Sequence, residues 1–124
     1  MSIELNHTIV AAADNLETAR FLTEMLGLEG PVAVAGGHFQ QVKLANGVDL
    51  DVMTVAPPIH RQHYAFLVSE REFDEIFGRI TDRGLEFYAH PDGSGRGEIN
   101  HNFGGRGVYF FSPDGHALEA LTVA

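Results

Sequence analysis

The sequence predicts an α+β fold made of two copies of a β-α-β-β-β unit. Two stretches share one layout: Asn-Gly-Val-Asp-Leu-Asp-Val-Met at 46–53 and Asp-Gly-His-Ala-Leu-Glu-Ala-Leu at 114–121. Each is a turn dipeptide followed by a strand pattern with a carboxylate at the matching place. Each half also carries a histidine near its start, His7 in the first and His63 in the second. Every copy therefore supplies one histidine and one carboxylate.

The first half shows the elements of this unit in order. Alternating apolar and polar residues at 3–10 predict a strand. Asp14 and Glu17 have the spacing of a helix N-terminal capping box, and Gly27 predicts the end of that helix. Three short strands are then predicted, at 31–34, 38–44 and 48–55.

The second half repeats the same order of elements. An apolar stretch at 63–68 predicts a strand. Ser69 and Glu72 form a second capping-box pattern, and Gly84 predicts where the helix ends. Three strands are again expected, at 85–89, 107–112 and 117–123.

The two copies are predicted to span 1–56 and 60–124 of a single domain, with Pro57-Pro58 at their junction. A polar, glycine-rich stretch at 91–106 interrupts the second copy and reads as a loop. A loop of this length inside a compact domain is often functional or mobile.

Composition narrows the class of function. A net charge of −9 argues against nucleic acid or an anionic membrane surface as a partner, because both require a basic patch. No apolar run is long enough to cross a bilayer and no signal-like segment is visible, so a cytoplasmic location is expected. The chain has 0 cysteines, which excludes disulfides and thiolate ligands. A metal would have to be held by histidine and carboxylate.

Strand alternation places the repeated polar residues together. The apolar positions of each predicted strand should face the helix, which leaves the opposite face to four residues: His7, His63, Asp51 and Glu119. Two imidazoles and two carboxylates suit a divalent first-row metal with open positions for water or substrate. Asp51 is one methylene shorter than a glutamate, so it could instead hydrogen-bond a ligating histidine.

Aromatic and polar side chains are candidates for substrate binding. They are Phe39, Phe103, Tyr109, Phe111, His101, Asn102 and Arg106. Core packing is the alternative for Tyr109 and Phe111, because aromatic residues usually serve that purpose. Phe103 lies in the glycine-rich loop, where core packing is less natural. For the polar loop residues a solvated surface is the alternative.

These features resemble the vicinal oxygen chelate superfamily, which contains glyoxalase I, bleomycin-resistance, fosfomycin-resistance and extradiol dioxygenase proteins. The resemblance covers essentially the whole chain. It is most specific at 6–10, at 63–68 and at 108–119, where the aromatic strand, the Pro-Asp-Gly-His turn and Glu119 are similar to the family pattern. It implies paired βαβββ modules whose curled mixed sheets enclose a cavity for a metal and a substrate.

The resemblance also implies site residues and a partner. His7, His63 and Glu119 match the metal ligands, with Asp51 at the fourth position, and the metal would be Fe, Mn, Ni or Zn. Glu119 or Asp51 would then act as a general base. Short members of the family often pair modules between two chains, which implies a homodimer with shared sites. Pairing within one chain is the alternative.

Two functions agree with this pattern. The first is a metal-dependent lyase or dioxygenase of the glyoxalase/dioxygenase type, acting on a small substrate that chelates through adjacent oxygens. The second is a metal-free protein of the bleomycin-resistance type that confers antibiotic resistance by sequestering its ligand. Ile9 stands where glyoxalase I proteins carry a basic residue.

Overall fold

The α+β class predicted from the sequence is confirmed by a computed structural model, which describes residues 2–124. Two compact units are present, the first ending at His60 and the second beginning at Arg61. In the described part of the chain, neither helix has the length and apolar character needed to cross a membrane.

Each unit contains one helix and one small mixed sheet. The elements of the first unit are β1 (His7–Ala12), α1 (Asn15–Leu26), β2 (Val32–Val34), β3 (Phe39–Lys43) and β4 (Asp49–Thr54). The elements of the second unit are β5 (His63–Leu67), α2 (Glu70–Asp82), β6 (Gly107–Phe111) and β7 (Ala117–Leu121).

Both helices begin and end where the sequence predicts. The Asp14 carboxylate accepts hydrogen bonds from the N–H groups of Leu16 (3.1 Å) and Glu17 (3.2 Å), and α1 stops at Gly27, whose φ of 70° is left-handed. Ser69 and Glu72 form a complete capping box at the start of α2. The capping box at Ser69 is therefore confirmed in full, and at α1 the N-cap role of Asp14 is confirmed.

The two sheets share their central pairing. The strand order is β1-β4-β3-β2 in the first sheet and β5-β7-β6 in the second. In the first sheet, β1 is parallel to β4 and β3 is antiparallel to β4. In the second sheet, β5 is parallel to β7 and β6 is antiparallel to β7. The duplication read from the sequence is therefore present in the topology as well.

Two predicted strands differ from the structure. The first strand starts at His7 rather than at residue 3. The strand expected at 85–89 was wrong: Tyr88 makes two isolated bridge pairs, with Tyr109 and with Arg96, and no ladder extends from them. Its neighbours bond to the loop instead, since Gly97 N–H donates to the Phe87 carbonyl (2.8 Å) and Ala89 N–H to that of residue 95 (3.0 Å).

Each sheet buries one face under the helix of its own unit, because apolar side chains alternate along the strands. The first core contains Val10, Val42, Leu50, Val52, Leu22 and Met25; the second contains Phe73, Ile76, Ile80, Val108, Phe110 and Leu118. On each strand, the residues that alternate with these core residues point to the opposite face of the sheet. His7, Asp51, His63 and Glu119 lie on those faces.

Candidate functional site

The histidine and the carboxylate of each unit lie on neighbouring parallel strands, and the offset between them is the same in both units. In the first unit, His7 is on β1, and Asp51 on β4 lies two register positions further along. In the second unit, His63 on β5 and Glu119 on β7 have the same offset. This matched register supports treating the two pairs as equivalent positions of a repeated unit.

His63 and Glu119 are brought together. The imidazole Nε2 of His63 lies 2.9 Å from the carboxylate Oε1 of Glu119. Two neighbouring ligands at about 2.1 Å from a divalent metal and at right angles to each other are separated by about 3.0 Å. In the structure the two side chains share a hydrogen bond. Once the proton between them is lost, the same two atoms would have the spacing of adjacent ligands of a divalent first-row ion.

Tyr109 completes this cluster. It is directly opposite Glu119 on β6, and its ring centroid lies 5.4 Å from that of His63. Burial raises the pKa of the Tyr109 phenol to about 12, helped by its hydrogen bond to Glu119 and by the charge of that carboxylate. A phenol that stays protonated is a permanent donor to Glu119, which fixes the orientation of the carboxylate.

A buried histidine holds the chain next to His63. His116 is fully buried, and its Nδ1 accepts a hydrogen bond from the Gln62 N–H (3.0 Å), so its proton is on Nε2. The Gln62 carbonyl in turn accepts from the N–H of Ala117 (2.9 Å). The Pro-Asp-Gly-His turn thus fixes the residue that precedes His63.

His7 is oriented differently. Its Nδ1 lies 2.8 Å from the side-chain oxygen of Asn6, which accepts a hydrogen bond from the imidazole. The lone pair is then on Nε2, the nitrogen left to bind a metal. A hydrogen bond from the second ring nitrogen to an oxygen is the usual arrangement around metal-bound histidines.

Asp51 is bonded to a neighbouring strand. Its Oδ1 accepts a hydrogen bond from Gln41 Nε2 (3.1 Å), and Gln41 Oε1 accepts one from Lys43 Nζ (2.9 Å). Gln41 and Lys43 were not among the residues predicted from the sequence. Their position on the same face of β3, opposite β4, becomes visible only once the strand register is known.

The four predicted ligands are thus distributed over both units. Within residues 2–124 no group of three or more His, Cys, Asp or Glu side chains lies together in a way that could hold a metal. The second unit brings His63 and Glu119 into contact, whereas His7 and Asp51 of the first unit bond to Asn6 and Gln41.

Two of the predicted aromatic residues share a sheet face with a predicted metal ligand: Phe39 with Asp51, and Phe111 with Glu119. Phe111 makes an edge-to-face contact with Tyr88, with ring centroids 5.5 Å apart. Phe39 contacts the ring of His38 at 4.5 Å. Tyr88 was not singled out from the sequence, and its placement beside β6 depends on the single bridge to Tyr109.

The predicted loop residues lie in a tight, well-bonded turn. Phe103 has a left-handed φ of 57°, and 78% of its surface is exposed. The buried Asn100 anchors the turn: its amide donates to the Ala89 carbonyl (2.8 Å), and its oxygen accepts from the N–H of Asn102 (3.2 Å). His101 bonds through Nδ1 to the carbonyl of Gly105 (3.2 Å). The loop therefore presents an exposed aromatic ring on a fixed support.

Arg106 is bound to α2. Its guanidinium donates to Glu70 (2.8 Å) and Asp74 (2.9 Å) and lies 4.4 Å from the centre of the Phe73 ring. The hydrogen bonds to Asp74 and Glu70 raise the pKa of Arg106. In this arrangement the side chain ties the end of the loop to the helix.

Comparison with known proteins identifies the family. No family model matches the chain. It is 54% identical to a solved structure named Oxidase ChaP-H1, over 99% of this chain and 98% of that one, with a TM-score of 0.95. Glutathione transferase FosA from Serratia marcescens is 27% identical over 120 residues, 93% of this chain and 77% of FosA. A glyoxalase/dioxygenase from Nostoc punctiforme has the same fold, at 22% identity, with a TM-score of 0.74 over 98% of this chain and 91% of that one.

The chain belongs to the vicinal oxygen chelate superfamily. The resemblance read from the sequence is therefore confirmed, and the relatives support a vicinal oxygen chelate enzyme. Within this superfamily, the pair formed by His63 and Glu119 and the matched pair formed by His7 and Asp51 are the candidate ligand positions of this protein.

Proposed function

We propose that the chain is a metal-dependent oxidase that acts on a small molecule with two adjacent oxygen atoms. His7, His63 and Glu119 would bind the metal. The observation that carries the proposal is the 2.9 Å separation of His63 Nε2 and Glu119 Oε1. The 54% identity to Oxidase ChaP-H1 favours oxidation over the lyase reaction that the sequence left open.

The donor set narrows the choice of metal. Two histidines and one carboxylate with open positions are the arrangement of non-haem iron oxygenases. Zinc has no redox chemistry, so an oxidase site disfavours zinc, and the two-histidine, one-carboxylate set favours iron. When bound, such an ion would supply Lewis-acid and redox chemistry to a substrate that chelates it.

The protein side chains have separate roles in this proposal. Glu119 is the anionic ligand and, when a substrate hydroxyl binds beside it, the acceptor for its proton. Tyr109 donates to Glu119 and holds it in place. Asn6 orients the imidazole of His7, and the turn at His116 holds the backbone next to His63.

The substrate class follows from the side chains around the pair. Tyr109 is buried beside Glu119, whereas Phe111 on the same sheet face and Tyr88, which stands edge-on to it, are only partly buried. Aromatic surfaces of this kind stack on flat rings. A planar aromatic compound with two adjacent hydroxyl or carbonyl oxygens satisfies both the ring surface and the chelation geometry.

Oxygen consumption by the purified protein tests the proposal. The protein is loaded with Fe²⁺ under argon and mixed with catechol-type compounds, and oxygen uptake is followed with an electrode. The matched control is the resorcinol-type isomer, which has the same atoms but no adjacent oxygens. Uptake with the catechol series alone, lost in His63→Ala and in Glu119→Gln, is the expected result. Equal uptake with both series, or undiminished uptake in both variants, would refute the proposal.

A second function is favoured by Phe103. An exposed aromatic ring on a fixed turn is suited to binding a flat antibiotic without any metal, as expected for a sequestering resistance protein. Tight binding of planar aromatic compounds to metal-free protein, unchanged in Glu119→Gln, would favour this alternative. Elemental analysis of the purified protein complements it by measuring bound iron and manganese.

The homodimer implied by the family is part of the proposal. The candidate ligands are divided between the units, with His7 in the first and His63 and Glu119 in the second. A dimer that pairs the first unit of one chain with the second unit of its partner would complete two sites. Mixing inactive His7→Ala with inactive Glu119→Gln protein should then restore activity at one of the two sites. Analytical ultracentrifugation measures the assembly directly.

A further inference from the structure

The face of the second sheet that carries Glu119 continues beyond β6. Tyr109 on β6 lies opposite Glu119 on β7. Tyr88 makes an antiparallel bridge pair with Tyr109, and Arg96 makes one with Tyr88. Residues that lie opposite each other in such pairs project to the same face of a sheet. These four side chains therefore form one row across the face, with Glu119 near one end and Arg96 at the other.

The ring of Tyr88 is held in one orientation. Its hydroxyl donates a hydrogen bond to Glu86 Oε2 (2.7 Å), and Glu86 Oε1 accepts one from the guanidinium of Arg96 (2.6 Å). The bond to Glu86 raises the pKa of the Tyr88 phenol, so the hydroxyl stays a donor. The ring itself stands edge-on to Phe111, with centroids 5.5 Å apart. Tyr88 is thus fixed at both ends, although it is only partly buried.

The ion pair behind this ring adds little to the stability of the fold. The side chains of Arg96 and Glu86 are 72% and 57% exposed, and exposed pairs of this kind are weak. Their geometric effect is specific, because the same carboxylate accepts from the guanidinium and from the phenol of Tyr88. A pair that stabilises little but orients a partly exposed ring is suited to ligand recognition.

The position of Tyr88 in the row defines what it can reach. Neighbouring strands are about 5 Å apart, so Tyr88 lies about 10 Å across the face from Glu119. A single aromatic ring is about 5 Å wide, roughly one strand spacing, and would end over β6. On the other side of Glu119, the opposite residue on β5 is Ala65, which offers no ring. A longer planar ligand therefore meets aromatic surface only in the direction of Tyr88.

We propose that Tyr88 determines specificity by contacting the part of a planar substrate that lies away from its chelating oxygens. This inference rests on the metal-dependent function proposed above. The contact selects ligands longer than one ring. Glu86 is a positioning residue: it acts through the phenol of Tyr88 and keeps the ring ready for stacking.

Probes of two lengths test the contact without turnover. The purified chain receives one equivalent of Zn²⁺, which has no redox chemistry, and calorimetry measures the Kd of each probe. The probes are catechol and the naphthalene diol that carries the same adjacent hydroxyls with a second ring fused opposite them. The naphthalene diol should bind more tightly. Tyr88→Leu, which keeps an apolar side chain against Phe111, should weaken it by about two-fold to ten-fold and leave catechol unchanged.

Phe87→Leu is the matched control. It removes the neighbouring ring of the same segment, which packs against Phe77 of α2 with centroids 5.0 Å apart. The ratio of the two affinities should stay as it is in the unchanged chain. An unchanged ratio in Tyr88→Leu, or an equal fall in both variants, would overturn the inference.

A second set of variants tests the role of Glu86. Tyr88→Phe keeps the ring but loses its bond to Glu86, and Glu86→Ala removes the acceptor. Each should lower the preference for the naphthalene diol by about two-fold, because a freed ring must be ordered on binding. The double variant should fall no further than either single one, since Glu86 acts only through the phenol. Additive losses would show that Glu86 touches the ligand directly and would contradict its positioning role.

An isomeric naphthalene diol with one hydroxyl on each ring separates this inference from the proposed function. It has the same two rings but no adjacent oxygens. If it binds as tightly as the first diol and depends on Tyr88, the proposed chelation fails and the ring contact stands. If only the first diol binds and Tyr88→Leu leaves its Kd unchanged, the inference alone fails. If neither diol binds the chain loaded with Zn²⁺, both fail.

Discussion

Gln41 and Tyr109 occupy the same position in the two sheets. Each lies directly across an antiparallel pair from the carboxylate of its unit, Asp51 in the first and Glu119 in the second. An amide thus faces one carboxylate and a phenol faces the other. The units share a backbone pattern, but these two residues give their carboxylates different surroundings.

Replacing Tyr109 with phenylalanine should weaken metal binding without abolishing it. The phenol donates to Glu119, and losing a hydrogen bond to a ligand usually reduces metal affinity by about 10-fold to 100-fold. Calorimetry with Fe²⁺ under argon, or with Co²⁺, measures the change. Tyr64→Phe removes a phenol from the opposite face of β5 and is the control. Equal affinity in the two variants would contradict the role given to Tyr109.

The ionisation of the Tyr109 phenol should be visible in a pH titration of metal-free protein. Its pKa is raised from 10.0 to about 12, so it stays neutral where an unfolded chain would already ionise. Its contribution to stability is full below pH 10 and is lost as the pH rises towards 12. Absorbance at the tyrosinate band should show a late step that disappears in Tyr109→Phe. A late step that remains in the variant would assign it to another tyrosine.

Removal of either member of the His63 and Glu119 pair should affect metal binding far more than stability. The side chain of His63 is 44% exposed, so its pairing in metal-free protein should contribute less than about 1 kcal/mol to the free energy of unfolding. Glu119→Gln keeps the shape but loses the anionic ligand, and the metal Kd should rise by more than about 100-fold. Urea unfolding and calorimetry of the same samples separate the two effects. A variant that loses stability but keeps its metal would contradict this assignment.

Arg106→Leu should destabilise the second unit and leave the metal affinity unchanged. The guanidinium lies over the buried Phe73 ring, and a contact of this kind contributes about 1 kcal/mol. Thermal unfolding should show a lower midpoint than in Arg96→Leu, whose exposed ion pair with Glu86 is worth little. If Arg106→Leu instead weakens substrate binding at unchanged stability, the substrate role predicted from the sequence is correct.

Phe103→Asn should separate ligand binding from backbone strain. A left-handed conformation costs a bulky residue about 1–2 kcal/mol, and asparagine tolerates it, so the free energy of unfolding should stay the same or rise. Affinity for planar aromatic compounds should fall by about five-fold to ten-fold, because one stacking surface is lost. Ala35→Gly relieves a second left-handed non-glycine residue of the described chain and should leave affinity unchanged. A less stable Phe103→Asn protein would indicate that the ring is packed.

His116→Leu should cost about 1–3 kcal/mol of unfolding free energy, because the Gln62 N–H loses its acceptor. His116→Asn offers an oxygen near the same place and should recover part of the loss. Since the contact fixes the residue before His63, metal affinity should follow stability across the two variants. Chemical unfolding and Co²⁺ titration measure the two quantities. Full metal affinity in a destabilised His116→Leu protein would limit this histidine to a role in folding.

Local signals in the sequence predicted much of the fold. Asp14 and Ser69 cap the helices as their residue types indicate, and Gly27 supplies the left-handed residue at the end of α1. Alternation along β4 and β7 placed Asp51 and Glu119 away from the buried apolar face. These properties depend on residues close in sequence, so they can be read without knowing which strands pair.

The parts that were not predicted depend on contacts between distant residues. Gln41 meets Asp51, and Tyr109 meets Glu119, only because the strands pair in one register. Arg106 bonds to Glu70, 36 residues earlier in the chain, although its loop suggested a substrate contact. The expected strand at 85–89 failed because the loop after it competes for the same backbone groups.

The parallel pairing of β5 with β7 has a consequence for how the protein folds. β6 and β7 form a local hairpin that can close quickly, but β5 must then find the far side of β7 across a long intervening chain. His63 and Glu119, 56 residues apart, meet only when this slow step is complete. A metal held by both would therefore bind only the folded second unit. It would stabilise the pairing of β5 with β7 and slow its opening.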